Sequence, residues 1–222
     1  MMTTTERLLA DSTDIWEQYY THPFILGLQN GDLDKDKFRF YIVQDYLYLE
    51  EYAQVFALGA AKAKTHELMQ VFAGILGAIS GVEMNIHNGY MGTFNVKADE
   101  LSDSARSLDN LSYTSYMLRI AYEGTEVDIL AAILSCAISY EYIAKNIVKN
   151  NPQAADHEFY GSWIQCYSGE EYAKTNQDLV ATLNRLTQDY SEAQLCELSE
   201  IFRRCSQYEL AFWDMGWNKS MA

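Results

Sequence analysis

The sequence predicts an all-α protein, a single-domain helical bundle of about eight helices covering residues 1–222. Three observations carry this expectation. Apolar residues recur at steps of three and four through most of the chain, which is the period of a helix face, while alternating strand patterns are scarce. Proline occurs only at Pro23 and Pro152, so little interrupts a helix. Residues able to cap a helix N-terminus stand ahead of several apolar runs. With 222 residues, 49% of them hydrophobic, the chain can bury one sizeable core.

Residues 3–20 read as a first helix, with Leu8, Ile15, Trp16 and Tyr19 near one face and Thr3 and Glu6 at capping-box spacing. Thr21-His22-Pro23 breaks it, Phe24 to Leu28 reads as a short apolar turn, and Gly31-Asp32 ends that turn. Asp34 can cap a long helix from about Lys35 to Lys64. Its inward line is Phe38, Tyr41, Asp45, Tyr48, Tyr52 and Phe56. Thr65 can cap a helix from His66 to about Tyr90, with the line Leu68, Phe72, Ile75, Ile79, Val82 and Ile86. Residues 91–109 read as the longest connection.

Asn110 can cap the next helix, faced by Tyr113, Met117, Ile120 and Ala121 and stopped at Gly124. Thr125 and Asp128 resemble a capping box for a helix from about Glu126 to Lys149. That helix is apolar around much of its circumference, with Ile129, Ile133, Cys136, Tyr140, Ile143 and Ile147 on one line, so it is expected at the centre. A shorter helix covers 156–167. Ser168 with Glu171 opens another through about Leu186. Ser191 with Gln194 caps the last, which runs to about Trp217 along Leu195, Leu198, Phe202, Cys205, Glu209 and Phe212.

Composition narrows the function. Lys and Arg number 16 against 31 Asp and Glu, a net charge of −15, which argues against binding a nucleic-acid backbone. No apolar stretch is expected to span a membrane, which takes roughly 20 residues, and no signal-peptide pattern opens the chain. The cysteines Cys136, Cys166, Cys196 and Cys205 show no C-x-x-C spacing, so free thiols in a cytoplasmic protein are expected. Glu-x-x-His, the di-iron bundle motif, is missing, and no metal site is expected. His22 beside Pro23 reads as structural.

Three helices each set one reactive side chain into an apolar stripe: Asp45, Cys136 and Glu209. Cys136 alone reads as a small buried thiol of a core helix. Asp45 suits either a structural bond to a tyrosine hydroxyl or a site. Burial would raise the pKa of Glu209 toward the range a general acid/base needs. Brought together in a bundle, these stripes would form a small aromatic-walled pocket with a thiol and two carboxyl groups, suited to a flat heteroaromatic ligand. No histidine on a helical partner stands beside Cys136, which argues against Cys-His proteolysis.

Several short segments, in this order and spacing, resemble the TenA/thiaminase II family over nearly the whole length. They are Tyr41 to Glu51 (YIVQDYLYLEE), Tyr113 with Tyr116, Cys136 to Tyr142 (CAISYEY), Trp163 to Tyr167 (WIQCY) and Tyr208 to Asp214 (YELAFWD). The resemblance implies a haem-oxygenase-like all-α fold, a homotetramer, and no metal or organic cofactor. It implies an aminopyrimidine aminohydrolase acting in thiamin salvage on a small-molecule pyrimidine, with neither nucleic acid nor membrane as partner. Cys136 would be the nucleophile and Glu209 the general acid/base. Asp45 would hold the pyrimidine nitrogen or amino group. Tyr113 and Tyr140 would orient Cys136 and the ring, and Tyr48 and Tyr167 would complete the pocket. One departure is visible: Ser135 stands where the family commonly has proline before the cysteine, a change expected to affect the local helix start more than the chemistry. Two alternatives remain at this point: a haem or quinone-biosynthesis oxygenase of the same fold using His22 or His87, and a non-catalytic pyrimidine- or thiamin-binding regulator.

Overall fold

The computed structural model describes residues 2–97, 101 and 104–222. Among these, eleven α-helices form the bundle. They are α1 (Thr4–Ala10), α2 (Thr13–Thr21), α3 (Pro23–Asn30), α4 (Lys35–Lys62), α5 (His66–Ala78), α6 (Met84–Thr93), α7 (Leu108–Glu123), α8 (Glu126–Asn150), α9 (Gly161–Ser168), α10 (Glu170–Leu186) and α11 (Glu192–Asn218). A π-helical turn, Ile79–Glu83, joins α5 to α6, and a 3₁₀ turn, Pro152–Asp156, precedes α9.

The count exceeds the expected eight because two long periodic runs are interrupted and one expected turn is itself a helix. The run over 3–20 divides at Asp11-Ser12, although its Thr3–Glu6 capping box is present. The Phe24–Leu28 turn is a helix of its own: Pro23 occupies its first turn, and His22 caps it by accepting from the Phe24 N–H at 3.2 Å. Gly31 closes it at φ 77°, the left-handed region that favours glycine.

Other caps fall partly as expected. Asp34, Thr65, Thr125 and Ser191 each accept a backbone N–H of the first turn. Asn110 does not cap α7. Ser107 does, accepting from the Asn110 N–H at 3.1 Å, and the Asn110 amide instead donates to the Gln44 carbonyl at 2.7 Å. Ser168 opens no helix either; its hydroxyl turns back to the Ile164 carbonyl and Gly169 occupies the cap. The expected connection over 91–109 is shortened at both ends by α6 and α7, and its residues 98–100 and 102–103 lie outside the described residues.

Helix α8 is the centre. Every residue from Ile129 to Glu141 is buried, and α3, α4, α7, α9, α10 and α11 all pack against it. Burial on all sides explains why its sequence is apolar almost all round. The helix also corrects the reading of Ser135. That residue lies in the helix interior, not at a helix start, and its hydroxyl is 3.1 Å from that of Ser206 on α11. Trp16 Nε1 donates to the same Ser206 hydroxyl at 3.0 Å. A proline at 135 would offer no hydroxyl to this buried chain.

Two helical stretches, His66–Thr93 and Glu126–Asn150, reach the length and hydropathy of a membrane span, contrary to the sequence reading. The second is α8, whose apolar surface is used up inside the bundle. The first, running through α5 and α6, is mostly uncovered. On the other flank of α5 the packing is close. A Cβ on Gly59 of α4 would fall 2.5 Å from the Phe72 ring of α5.

The π turn shifts the inward line of α5 and α6. A regular helix continuing from Ile79 would turn Val82 and Ile86 inward. The extra residue per turn instead brings Glu83 and His87 to the bundle side. His87 is fully buried while Ile86 is only half-buried, and the Val82 side chain lies outside the described residues.

Candidate active site

Helix α4 carries its expected line inward intact, from Phe38 through Tyr41, Asp45, Tyr48 and Tyr52 to Phe56. Helix α8 presents Cys136 and Tyr140 one turn apart, and α9 brings Tyr167. These meet around a small, tight cavity lined by Asp45, Tyr48, Cys136, Tyr140 and Tyr167, together with Leu49, Tyr52, Glu83 and Tyr172. Five of the seven sequence-predicted site residues therefore share one chamber. A wider recess adjoins it, with Tyr52, Glu83 and Tyr172 belonging to both.

The other two predicted residues, Tyr113 and Glu209, are absent from the cavity lining. They pair with each other: the Tyr113 hydroxyl donates to Glu209 Oε2 at 3.1 Å. This pair lies behind Tyr48, whose ring centroid is 5.2 Å from that of Tyr113. Burial lifts the Glu209 carboxyl from 4.5 to about 8, with the charge of Asp45 adding to the rise and the Tyr113 hydrogen bond opposing it. Near neutral pH this group therefore holds a proton it can give up.

Burial also pushes the Cys136 thiol well above its ordinary value, and the Glu209 carboxylate reinforces the shift. The neighbouring Tyr48 hydroxyl, which points to Met117 Sδ at 3.7 Å, opposes it. Tyr52 donates its own proton to the Ile133 carbonyl at 3.0 Å, which leaves its oxygen able to accept from the thiol. The thiol is thus held neutral, with phenol oxygens rather than a histidine beside it.

Asp45 stands in a network the sequence reading only half anticipated. Its Oδ2 accepts from the Tyr41 hydroxyl at 3.0 Å, and His87 Nε2 is 2.7 Å from the same oxygen. The Tyr41 and Tyr140 hydroxyls are 3.2 Å apart, and Trp163 Nε1 donates to the Tyr41 oxygen at 3.2 Å. Tyr140 therefore addresses Asp45 through Tyr41, and no hydrogen bond joins it to Cys136 among the described residues. Tyr113 likewise serves Glu209 rather than the thiol.

The residues missed at the sequence level are Glu83, Tyr172 and the role of His87. The four-residue spacing of Glu83 and His87 was the available signal, but the π turn that aims them inward leaves no periodic trace. Burial raises the Glu83 carboxyl to about 7, the neighbouring His87 opposing and the Asp45 charge adding to the rise.

Neither histidine considered as a haem ligand has a free ring nitrogen. His22 caps α3 through Nδ1 and holds Asp214 Oδ1 at 3.2 Å through Nε2. His87 engages the Glu83 carbonyl at 2.9 Å through Nδ1 and Asp45 through Nε2. Axial ligation needs an unshared lone pair that these contacts occupy.

Residues 9–219 match the model of the TENA/THI-4/PQQC family. An aminopyrimidine aminohydrolase of Helicobacter pylori is 41% identical over 216 residues, covering 97% of this chain and 99% of that protein. A solved TenA homologue from P. horikoshii superposes with a TM-score of 0.87 at 28% identity, covering 97% of this chain and 99% of the other. A domain from Shewanella denitrificans described as having a heme oxygenase-like fold superposes at 0.77 with 16% identity over 97% and 92% of the two chains, a likeness of fold alone. The extent of the match and the shared helical architecture place this chain in one family: it belongs to the TENA/THI-4/PQQC family.

Proposed function

We propose that the protein is an aminopyrimidine aminohydrolase of the thiaminase II type, cleaving the C–N bond at the methylene carbon of 4-amino-5-aminomethyl-2-methylpyrimidine, or of thiamin, in thiamin salvage. The observation that carries this reading is the meeting of Cys136 with Asp45 in a tyrosine-walled cavity, with the proton-holding Glu209 buried close behind it. A flat ring stacks on such walls, and a carboxylate accepts from its exocyclic amine.

In the proposed reaction the neutral Cys136 thiol adds across a ring C=N bond, sulfur to carbon and proton to nitrogen. The amine leaves with a proton from Glu209, and an exocyclic double bond forms. Water adds to the exocyclic carbon and returns a proton to Glu209. Loss of the thiol with its proton restores the aromatic ring and releases the hydroxymethylpyrimidine. Tyr48 and Tyr167 wall the ring, Tyr113 positions Glu209, and Tyr140 acts on Asp45 through Tyr41.

The homotetramer expected from the resemblance is part of the proposal. Its support is the apolar, largely uncovered surface of α5 and α6, where Met69 is exposed. A reducing cytoplasmic setting suits the four free cysteines, one of them, Cys196, exposed.

The test is turnover. Purified protein given the aminomethylpyrimidine should release ammonia and the hydroxymethyl product, followed by mass spectrometry. Binding of the pyrimidine without turnover would favour the regulatory reading. Light scattering on the same sample should give a mass of about four chains.

A further inference from the structure

His87 is a fully buried histidine with no assigned role, and both its ring nitrogens face oxygen. Nδ1 is 2.9 Å from the Glu83 carbonyl, which can only accept, so Nδ1 carries a hydrogen. Nε2 is 2.7 Å from Asp45 Oδ2, an oxygen that already accepts from Tyr41 at 3.0 Å. With Oδ2 receiving two donors, Oδ1 is the oxygen of Asp45 left without a donor among the described residues, and Asp45 lines the cavity.

We propose that His87 is a positioning residue: it stays doubly protonated, holds Asp45 as an oriented carboxylate, and reserves Oδ1 to accept the 4-amino group of the pyrimidine. The π turn is what makes this possible, because it rotates His87 inward to meet Asp45 where a regular helix would have turned Ile86. An isolated carboxylate this deeply buried would be costly, and a paired, hydrogen-bonded one is not. Burial disfavours the charged imidazole, but the hydrogen bond and charge of Asp45 outweigh it and leave His87 above its ordinary value. Tyr41, Glu83 and Tyr140 are the other titratable groups around the pair, and none of them brings a positive charge, so the imidazolium is the counter-charge for Asp45 among the described residues.

This inference rests on the aminopyrimidine reading for its ligand but not for the state of the pair. Two measurements separate them. Nitrogen-15 NMR of histidine-labelled wild type near neutral pH, with the four histidines resolved by single substitutions, should show both ring nitrogens of His87 protonated; a pyridine-type Nε2 overturns the proposal whether or not any substrate turns over. His87→Gln keeps a neutral donor toward Asp45 and loses the charge. Its KM for the aminomethylpyrimidine should rise about 10- to 100-fold, as for loss of a charge-assisted hydrogen bond, with a much smaller change in kcat. The wild-type preference for the 4-amino ring over its 4-unsubstituted analogue should shrink by a similar factor. Unchanged KM and unchanged preference in a folded variant would overturn the positioning role. If the wild type turns over no aminopyrimidine, the functional reading fails, and the NMR result still decides the ion pair.

Discussion

The Tyr113 hydroxyl donates to Glu209 Oε2 at 3.1 Å, joining α7 to α11 at a carboxyl group that is only 1% exposed. A carboxyl group so placed keeps its proton well above its ordinary range, to about 8. The folded protein therefore binds this proton more tightly than the unfolded chain. The corresponding stabilisation is complete below 4.5 and is lost as pH rises through 8. Glu209→Gln, which cannot ionise, should gain in Tm relative to wild type between about pH 5 and pH 9. Parallel Tm curves across that window would show that Glu209 is not the strained acid. The same variant should lose about 10²- to 10⁴-fold in kcat, the range for removal of a general acid/base.

Cys136→Ser should abolish turnover and leave pyrimidine binding in place. The hydroxyl fits the space but is a far poorer nucleophile. Product formation by mass spectrometry and affinity by calorimetry check the two halves, and a serine variant that turned over like wild type would remove Cys136 from the nucleophile role.

Asp45→Asn should weaken aminopyrimidine binding about 10- to 100-fold, because a neutral amide replaces a charged acceptor. Stability should change less, since the amide oxygen can still accept from His87 and Tyr41 at the positions Oδ2 now occupies. Calorimetric affinity unchanged by the substitution would place the ring elsewhere.

Gly59→Ala and Gly74→Ala should move stability in opposite directions. At Gly59 the new methyl meets the Phe72 ring of α5 at 2.5 Å, and overpacking of this kind costs about 1–3 kcal/mol. At Gly74, also on α5, no atom of the same chain lies within 4 Å of the new methyl, so within one chain the helix-propensity gain of about 1 kcal/mol is unopposed. Urea midpoints of the two variants test this directly, and a Gly59→Ala variant as stable as wild type would mean that α4 and α5 can separate without loss.

What the sequence by itself determined is the helical class, the central place of α8 and the inward faces of α4, α8 and α11. Helical periodicity is a local property, and Asp45, Cys136 and Glu209 could each be seen breaking an apolar stripe without knowledge of any contact. Capping was legible where one side chain and one backbone group settle it, as at Thr125 and Ser191, and failed at Asn110 and Ser168, whose side chains bond elsewhere. Tertiary structure alone decided the grouping. It separated Tyr113 and Glu209 from the cavity wall, placed Ser135 against Ser206, and gave His87 to Asp45. That last pairing depends on one extra residue in the turn at Ile79–Glu83. A π turn is stabilised by what the rotated side chains meet across the bundle, and such contacts are not written in the spacing of the helix that makes them.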